Sequence, residues 1–287
     1  MQVPFTKMHG LGNNYVYIDL FDFDIDEKLY PDLAIHMSDI YTGIGSDGMI
    51  LIHPTTDADV GMRIFNKDGS EGKSCGNGLR CTAKYAYENG IVQSRKFHIQ
   101  TKANIVEAEV SVDDNNKVNQ ITIDMGEPIF ARNEIPMMGN NDAKVVNEPF
   151  VVAGETQYVT AVSMGNPHAV FFVDDINKAP LETLGPTIEK DMRFPESVNV
   201  EFIEVVSPTE INFRVWERGS GITQACGTGA CAAVVAATLN EKVTKSQPII
   251  VHLAGGDLNI EWKEDNHVWM TGPAEVIASG LFYFKGE

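Results

Sequence analysis

The chain carries the same local pattern twice, and that repeat limits its folding more than any other feature. A displacement of 151 residues lays Arg63-Ile-Phe-Asn-Lys67 on Arg214-Val-Trp-Glu-Arg218. With no gap it also lays Cys75-Gly-Asn-Gly78 on Cys226-Gly-Thr-Gly229. Gly12-Asn13 and Gly165-Asn166 each precede a β-like run ending in an aspartate, Asp19 and Asp174, at a slightly different offset. A repeat of this period implies two structural units built on one plan. The length of 287 residues fits, at roughly 150 residues per domain. Of the four cysteines, the alignment pairs only Cys75 with Cys226, since Cys81 falls opposite Ala232 and Cys231 opposite Arg80.

Each half mixes β-like runs with few helices. In the first half, strands are expected at 15–19, 49–53 and 60–65, and a helix at 27–41. A second helix is expected from Asn77 to about Asn89, closed by Asn89-Gly90. Residues 96–125 read as strands joined by a turn at Asp113-Asp-Asn-Asn116, and the Gly-, Pro- and Asn-rich stretch from 126 to 149 marks a boundary at its start. The second half is expected to have strands near 157–163, 168–173, 198–206 and 210–216, and a helix over about 228–240. Ala230-Cys-Ala-Ala-Val-Val-Ala-Ala-Thr-Leu239 is apolar on every side, so that helix belongs inside its domain. The expected class is α+β: two pseudo-symmetric domains, each a curled mixed or antiparallel sheet around a central helix. The expected division is residues 1–125 with 275–287, and residues 126–274.

Composition narrows the function. Lys and Arg number 22 against 40 Asp and Glu, a net charge of −18, which argues against nucleic acid or an anionic membrane as partner. No apolar run is long enough to span a bilayer and the first residues show no signal pattern, so a cytoplasmic protein with reduced thiols is expected. Cys75 and Cys81 are six apart, Cys226 and Cys231 five apart, and no Cys-x-x-Cys or His-x-x-x-His spacing occurs, so no metal site is expected. No lysine motif for a Schiff base and no phosphate-binding loop stands out, so no cofactor is expected either.

The paired cysteines remain to be explained. Each stands in Cys-Gly-x-Gly just before an expected helix. A helix start carries about half a positive charge and amides outside the helical ladder, so it binds anions and lowers the pKa of a thiol placed there. That favours a site holding a carboxylate beside a reactive sulfur. Two such loops, facing each other across an interdomain cleft, would put a thiolate and a thiol on opposite faces of one carbon, as a racemase or epimerase requires. Cys81 and Cys231, within apolar helical stretches, read as small buried packing residues.

Beyond these cysteines, the chain resembles the diaminopimelate epimerase family. The resemblance rests on Lys7-Met-His-Gly-Leu-Gly-Asn13, Gly43-Ile-Gly-Ser-Asp47, and Phe65-Asn-Lys-Asp-Gly-Ser70 running into Cys75-Gly-Asn-Gly78. In the second half it rests on Met164-Gly-Asn-Pro-His168, Val198-Asn-Val200, and Glu217-Arg-Gly-Ser220 running into Ala225-Cys-Gly-Thr-Gly229. It implies a cofactor-independent inversion of LL-diaminopimelate to the meso form, on the route to lysine and peptidoglycan precursors, by a homodimer. It makes Cys75 and Cys226 the acid/base thiols, with His168 and Glu217 supporting them. The amides of Gly76, Asn77, Gly227 and Thr228 would hold the reacting carboxylate. Asn13, Asn66, Asn166, Asn199, Glu217 and Arg218 would recognise the rest of the substrate. Two positions depart from the family pattern: Asn14, where many relatives have Asp, and Gly48, where some have Gln.

Rival readings share parts of this pattern. Proline racemases and hydroxyproline epimerases also use two cysteines, and their second motif also reads Cys-Gly-Thr-Gly. Cys75-Gly-Asn-Gly78, Asn66 and the Glu217-Arg218 pair favour a longer substrate with a second charged end. An amino-acid-binding protein without chemistry would not need both cysteines, and a thiol–disulfide switch would make activity depend on reductant.

Overall fold

The computed structural model describes residues 1–73 and 75–286, so position 287, the last of the expected returning segment, lies outside it. The chain divides into two compact units, Met1–Ile123 with Gly272–Glu287, and Asp124–Thr271.

In the first unit the strands are β1 Gln2–Gly10, β2 Asn13–Asp19, β3 Gly48–His53, β4 Val60–Asn66, the short β5 Glu71–Gly72, β6 Lys96–Gln100, β7 Ile105–Val112 and β8 Val118–Asp124. Helix α1 spans Tyr30–Ser38 and α2 Gly76–Glu88. The chain's last strand, which becomes β18 in the full order, is Glu275–Tyr283 and lies antiparallel against β1. From β18 the sheet runs through β1, β2, β3, β4, β6, β7 and β8, with parallel steps only at β2–β3 and β4–β6. Leu11 and Gly12, at φ 57° and 89°, make the two-residue turn between β1 and β2. Both central residues are left-handed, as the twist of a tight hairpin demands. This turn delivers Asn13.

The second unit repeats the plan with β9 Val145–Val152, β10 Glu155–Ser163, β11 Pro167–Phe172, β12 Asn199–Ser207, β13 Glu210–Glu217, the short β14 Gly221–Ile222, β15 Ile249–Leu253, β16 Gly256–Trp262 and β17 Val268–Gly272. Its helices are α3 Leu181–Glu189 and α4 Gly227–Leu239. The order β9, β10, β11, β12, β13, β15, β16, β17 has parallel steps only at β11–β12 and β13–β15. Strand for strand this matches the first unit, with β18 standing where β9 stands.

In each unit one helix lies inside the curled sheet and one outside. Inside, α2 packs on β1, β2, β4 and β7, and α4 on β10, β11, β12, β13, β15 and β16. The alanines, glycines and valines of α4 let the surrounding strands approach closely. Outside, Leu33, Ala34 and Met37 of α1 pack with Val16, Ile18, Met49 and Leu51, while α3 covers β12 and β13 around Phe202 and Trp216. Central strands are therefore buried on both faces, which explains their unbroken apolar runs. Alternation along them decides which side chains reach the inner helices: Tyr15 and Tyr17 on β2, Ile50 on β3, His168 on β11, Glu201 on β12, and Phe213 on β13.

The inner helices fall one residue earlier than the sequence pattern places them. The expected 27–41 helix is a single 3₁₀ turn followed by the nine residues of α1. Strand β9, for which no strand is expected, begins within the Gly-, Pro- and Asn-rich stretch 126–149, and its Val145, Phe150 and Val152 are buried. Helix α3 carries Gly185 and Pro186 in its interior, residues that ordinarily argue against a helix. A Cβ at Gly185 would meet the Trp216 side chain at 2.8 Å, so the glycine lets α3 lie directly on that indole. Among the described residues no helix is long and apolar enough to cross a membrane.

Candidate active site

The backbone enters each inner helix extended, at a cysteine that caps it. Cys75 has φ −149° and ψ 116°, and its Sγ accepts from the Gly78 amide at 3.4 Å. Cys226 has φ −119° and ψ 105°, and its Sγ accepts from the Gly229 amide at 3.4 Å. The first α-helical bonds run from Leu79 N–H to Cys75 O and from Ala230 N–H to Cys226 O. By helix geometry the amides of Gly76 and Asn77, and of Gly227 and Thr228, thus lie outside the ladder of their own helices. Each unit thus joins a sulfur to a helix start suited to a carboxylate.

Around Cys75 the polar groups form a chain with a fixed sense. The fully buried Arg80 donates from Nη2 to Asn77 Oδ1 (2.8 Å) and from Nε to Pro273 O (3.1 Å). This turns the Asn77 Nδ2 toward Asn13 Oδ1 (3.1 Å), and Asn13 Nδ2 donates to Asp47 Oδ2 (2.9 Å). The Cys75 thiol lies 3.7 Å from Asn13 Oδ1. Asp47 also accepts from the Asn14 backbone amide at 2.8 Å, so Asn14 takes part chiefly through its main chain. At Gly48 a Cβ would come within 2.2 Å of Phe65 O, so no side chain fits this point of the β3–β4 pair. Asn66, the exposed last residue of β4, pairs with Gly48 next to Asp47, and its side chain donates to Ser70 Oγ at 3.0 Å.

Around Cys226 the surroundings are more acidic and drier. Thr228 Oγ1 lies 3.6 Å from Sγ and accepts from Asn166 Nδ2 at 3.3 Å. Asn166 Oδ1 faces His168 Nε2 at 3.0 Å, and His168 Nδ1 meets Glu201 Oε1 at 2.6 Å with both side chains fully buried. Asn199 joins neighbouring segments by donating to Pro167 O and accepting from the Arg218 amide. The Arg218 guanidinium donates to Glu196 O, and Thr223 donates to Glu217. Burial, followed by the carboxyl groups of Glu217 and Glu201, pushes the Cys226 thiol well above its ordinary value, while Thr228 and the Gly229 amide oppose the shift. The helix terminus alone gives the opposite sign, so the sequence expectation of a lowered thiol pKa fails at Cys226. Half a charge at a helix end does not outweigh lost solvation and two nearby acids.

Cys81 and Cys231 are buried and pack within the inner helices, and burial raises Cys81 to about 11. The motifs do not identify Tyr15 or Glu201. Tyr15 lies beside Cys75, and Glu201 lies under His168 and Cys226. A charged residue on the same face of β12 as Ile203 and Val205 was the available signal for Glu201.

A profile of the family described as diaminopimelate epimerase matches residues 5–131 and 160–277. A diaminopimelate epimerase from Oceanobacillus iheyensis is 92% identical over all of both chains. The corresponding Bacillus subtilis protein is 58% identical, over 97% of this chain and 98% of its own. Among solved structures, a Bacillus anthracis phenazine biosynthesis protein of the PhzF family superposes with a TM-score of 0.72 at 16% identity, over 99% of this chain and 100% of its own. A hydroxyproline epimerase from Agrobacterium vitis gives 0.69 at 13%, over 98% of this chain and 92% of its own. At those identities the two structures share the fold.

Proposed function

The chain belongs to the diaminopimelate epimerase family, and from that premise we propose that its two half-sites act together on a single α-carbon through two thiols. The enzyme is an isomerase that inverts one centre of LL-2,6-diaminopimelate to give the meso form, in lysine and peptidoglycan precursor biosynthesis. One observation carries the proposed mechanism: the same sulfur-capped helix start occurs once in each unit.

In the direction where Cys75 is the base, its thiolate removes the α-proton and becomes a thiol. The Cys226 thiol gives its proton to the opposite face of the carbanion and becomes a thiolate. The reverse reaction exchanges the roles. The raised pKa of Cys226 suits it to start that direction protonated. The two sulfurs then titrate as one coupled pair. The amides of Gly76, Asn77, Gly227 and Thr228 hold the reacting carboxylate and stabilise the charge that builds on it. His168 and Glu217 support the thiols. Asn13, Asn66, Asn166, Asn199 and Arg218 recognise the amino and carboxylate groups of the substrate, a forked guanidinium suiting a second carboxylate.

We place the enzyme in the cytoplasm, where both thiols stay reduced, and as a homodimer. Strand β18 is exposed along nearly all its length, with Val276 50%, Ile277 51%, Leu281 50% and Tyr283 68% exposed. Such an apolar strand supplies a surface for a second copy.

The test is incubation with reductant in deuterated water, with LL-diaminopimelate and L-proline in separate reactions. Deuterium is expected at the inverted carbon of diaminopimelate alone. Cys75→Ala and Cys226→Ala are each expected to lose at least about a thousandfold in turnover. Activity on proline, or full activity in either variant, would overturn the assignment.

A further inference from the structure

Glu201 is an anomaly of the fold. Under the 151-residue displacement it falls on Ile50, and the two occupy equivalent places beneath the inner helices. A Cβ built on Gly78 would meet Ile50 Cδ1 at 2.7 Å, and one built on the matching Gly229 would meet Glu201 Oε1 at 2.9 Å. The first unit shows that an aliphatic side chain fills this place. The second buries a carboxyl group there at 0% exposure, and its Oε2 has no hydrogen-bond partner among the described residues. An ionised carboxylate left bare in this way is costly, so something offsets its charge.

The hydrogen bonds around His168 identify what does. Asn166 presents its Nδ2 to Thr228 and therefore its Oδ1 to His168 Nε2, so Nε2 bears a hydrogen. Nδ1 lies 2.6 Å from Glu201 Oε1, and a proton must lie on that line, carried by the ring or by the carboxyl group. In either form His168 and Glu201 hold two protons in all and are neutral together. The other titratable groups facing them are Glu217 on β13 and Cys226 at the start of α4. The position of Gly229's missing Cβ is 3.1 Å from Cys226 Sγ as well as 2.9 Å from Glu201 Oε1, so the pair and the sulfur border one small space.

We propose that Glu201 is a positioning residue of the reaction: with His168 it forms a neutral, proton-sharing pair that orients Asn166 and Thr228 and controls when Cys226 ionises. The proposal deepens the reading of Cys226 as an acid/base thiol and rests on it. While the pair keeps its shared proton, Cys226 faces no added charge. When the pair loses that proton it becomes an anion, and thiolate formation beside it is disfavoured. As pH rises the pair gives up its proton before the sulfur does, and its charge then keeps Cys226 a thiol, ready to donate.

The test needs no substrate, so it can fail independently of the epimerase assignment. In a Cys75→Ser background, alkylation of Cys226 by iodoacetamide is followed against pH, with the labelled peptide read by mass spectrometry. Glu201→Gln keeps the shape but cannot become an anion. It is expected to lower the midpoint by at least one pH unit, or about tenfold in rate at a fixed pH below both midpoints, and Glu201→Asp is expected to restore the higher midpoint. An unchanged midpoint in a folded Glu201→Gln protein refutes the proposal. In the unsubstituted enzyme, long-range proton–nitrogen NMR is expected to show a hydrogen on His168 Nε2. A bare Nε2 with hydrogen on Nδ1 alone would also refute it, whether or not any variant folds.

Discussion

Two glycines at equivalent places allow each half-site to be perturbed by one methyl group. Gly78 and Gly229 are the third residues of α2 and α4, their amides donate to Cys75 and Cys226, and neither has a left-handed backbone, so only space opposes an alanine. At Gly78 the new Cβ conflicts only with Ile50 Cδ1, the end of a side chain that can rotate away. Cys75 stays at ordinary contact distance, 3.5 Å or more. At Gly229 it meets Glu201 Oε1 at 2.9 Å, Phe213 Cζ at 3.0 Å and Cys226 Sγ at 3.1 Å, and all three belong to buried groups. Overpacking of a tight site costs about 1–3 kcal/mol, and alanine in a helix returns roughly 0.5–1 kcal/mol over glycine. Gly78→Ala is therefore expected near neutral in stability. Gly229→Ala should be destabilised by about 1–2 kcal/mol, at roughly 2–4 °C of Tm per kcal/mol. The larger contrast is in rate: displacing the Cys226 sulfur from its line to the carbon costs about a hundredfold, while Gly78→Ala loses only a few fold. Thermal unfolding and deuterium incorporation into diaminopimelate measure both. Equal losses in the two variants, or full activity in Gly229→Ala, would refute the packing argument.

Other outcomes follow from single contacts. The Cys81 thiol stays protonated to about 11 in the fold against an ordinary value of 9.0, so unfolding releases a proton between those values. Its stabilising contribution is whole below pH 9 and is lost toward pH 11, so Cys81→Ala should make urea-measured stability fall less steeply across that window. Arg80→Lys removes the fork that joins Asn77 Oδ1 to Pro273 O and should cost about 1.5–3 kcal/mol, with a raised KM as Asn77 and Asn13 lose their orientation. On β18, Leu281→Lys should yield a monomer by light scattering where the unsubstituted chain gives the proposed dimer, and a native-sized assembly in that variant would place the interface elsewhere.

The sequence was most legible where the repeat was strong. The paired cysteines, the glycine-rich helix starts and the apolar α4 could be read because the chemistry and packing of the inner helices leave few residues free to vary. The expected 27–41 helix exceeds α1 because its start is a 3₁₀ turn, which has no 3.6-residue period to betray it. Helix α3 was hidden by Gly185-Pro186, yet its span Leu181–Glu189 is the span of α1, Tyr30–Ser38, displaced by the same 151 residues. The repeat was a better guide there than local propensity, because a tertiary contact with Trp216 fixes the glycine. Asn66 carries a motif position but is the exposed last residue of β4, bonded to Ser70, and no local pattern separates that role from substrate recognition. Glu201 escaped because its neighbours Val200 and Phe202 pack toward α3 and make the strand look like simple core.

A duplicated scaffold need not give equivalent half-sites, and the inward positions show how this one has diverged. Next to Cys75 the strands present Tyr15 and, under the helix start, Ile50, and the ordering of polar groups is left to the asparagine chain anchored by Arg80. Next to Cys226 the matching places hold His168 and Glu201, with Glu217 beside them. Dipole and amides are the same at both sulfurs because they come from the backbone, which the repeat preserves. Acidity differs because it comes from side chains of β12 and β13, Glu201 and Glu217, which the repeat does not constrain. An inversion needs one sulfur ready to take a proton while the other is ready to give one. Two identical surroundings would leave that difference to chance of protonation, whereas here one cysteine is buried beside two glutamates and the other is partly exposed.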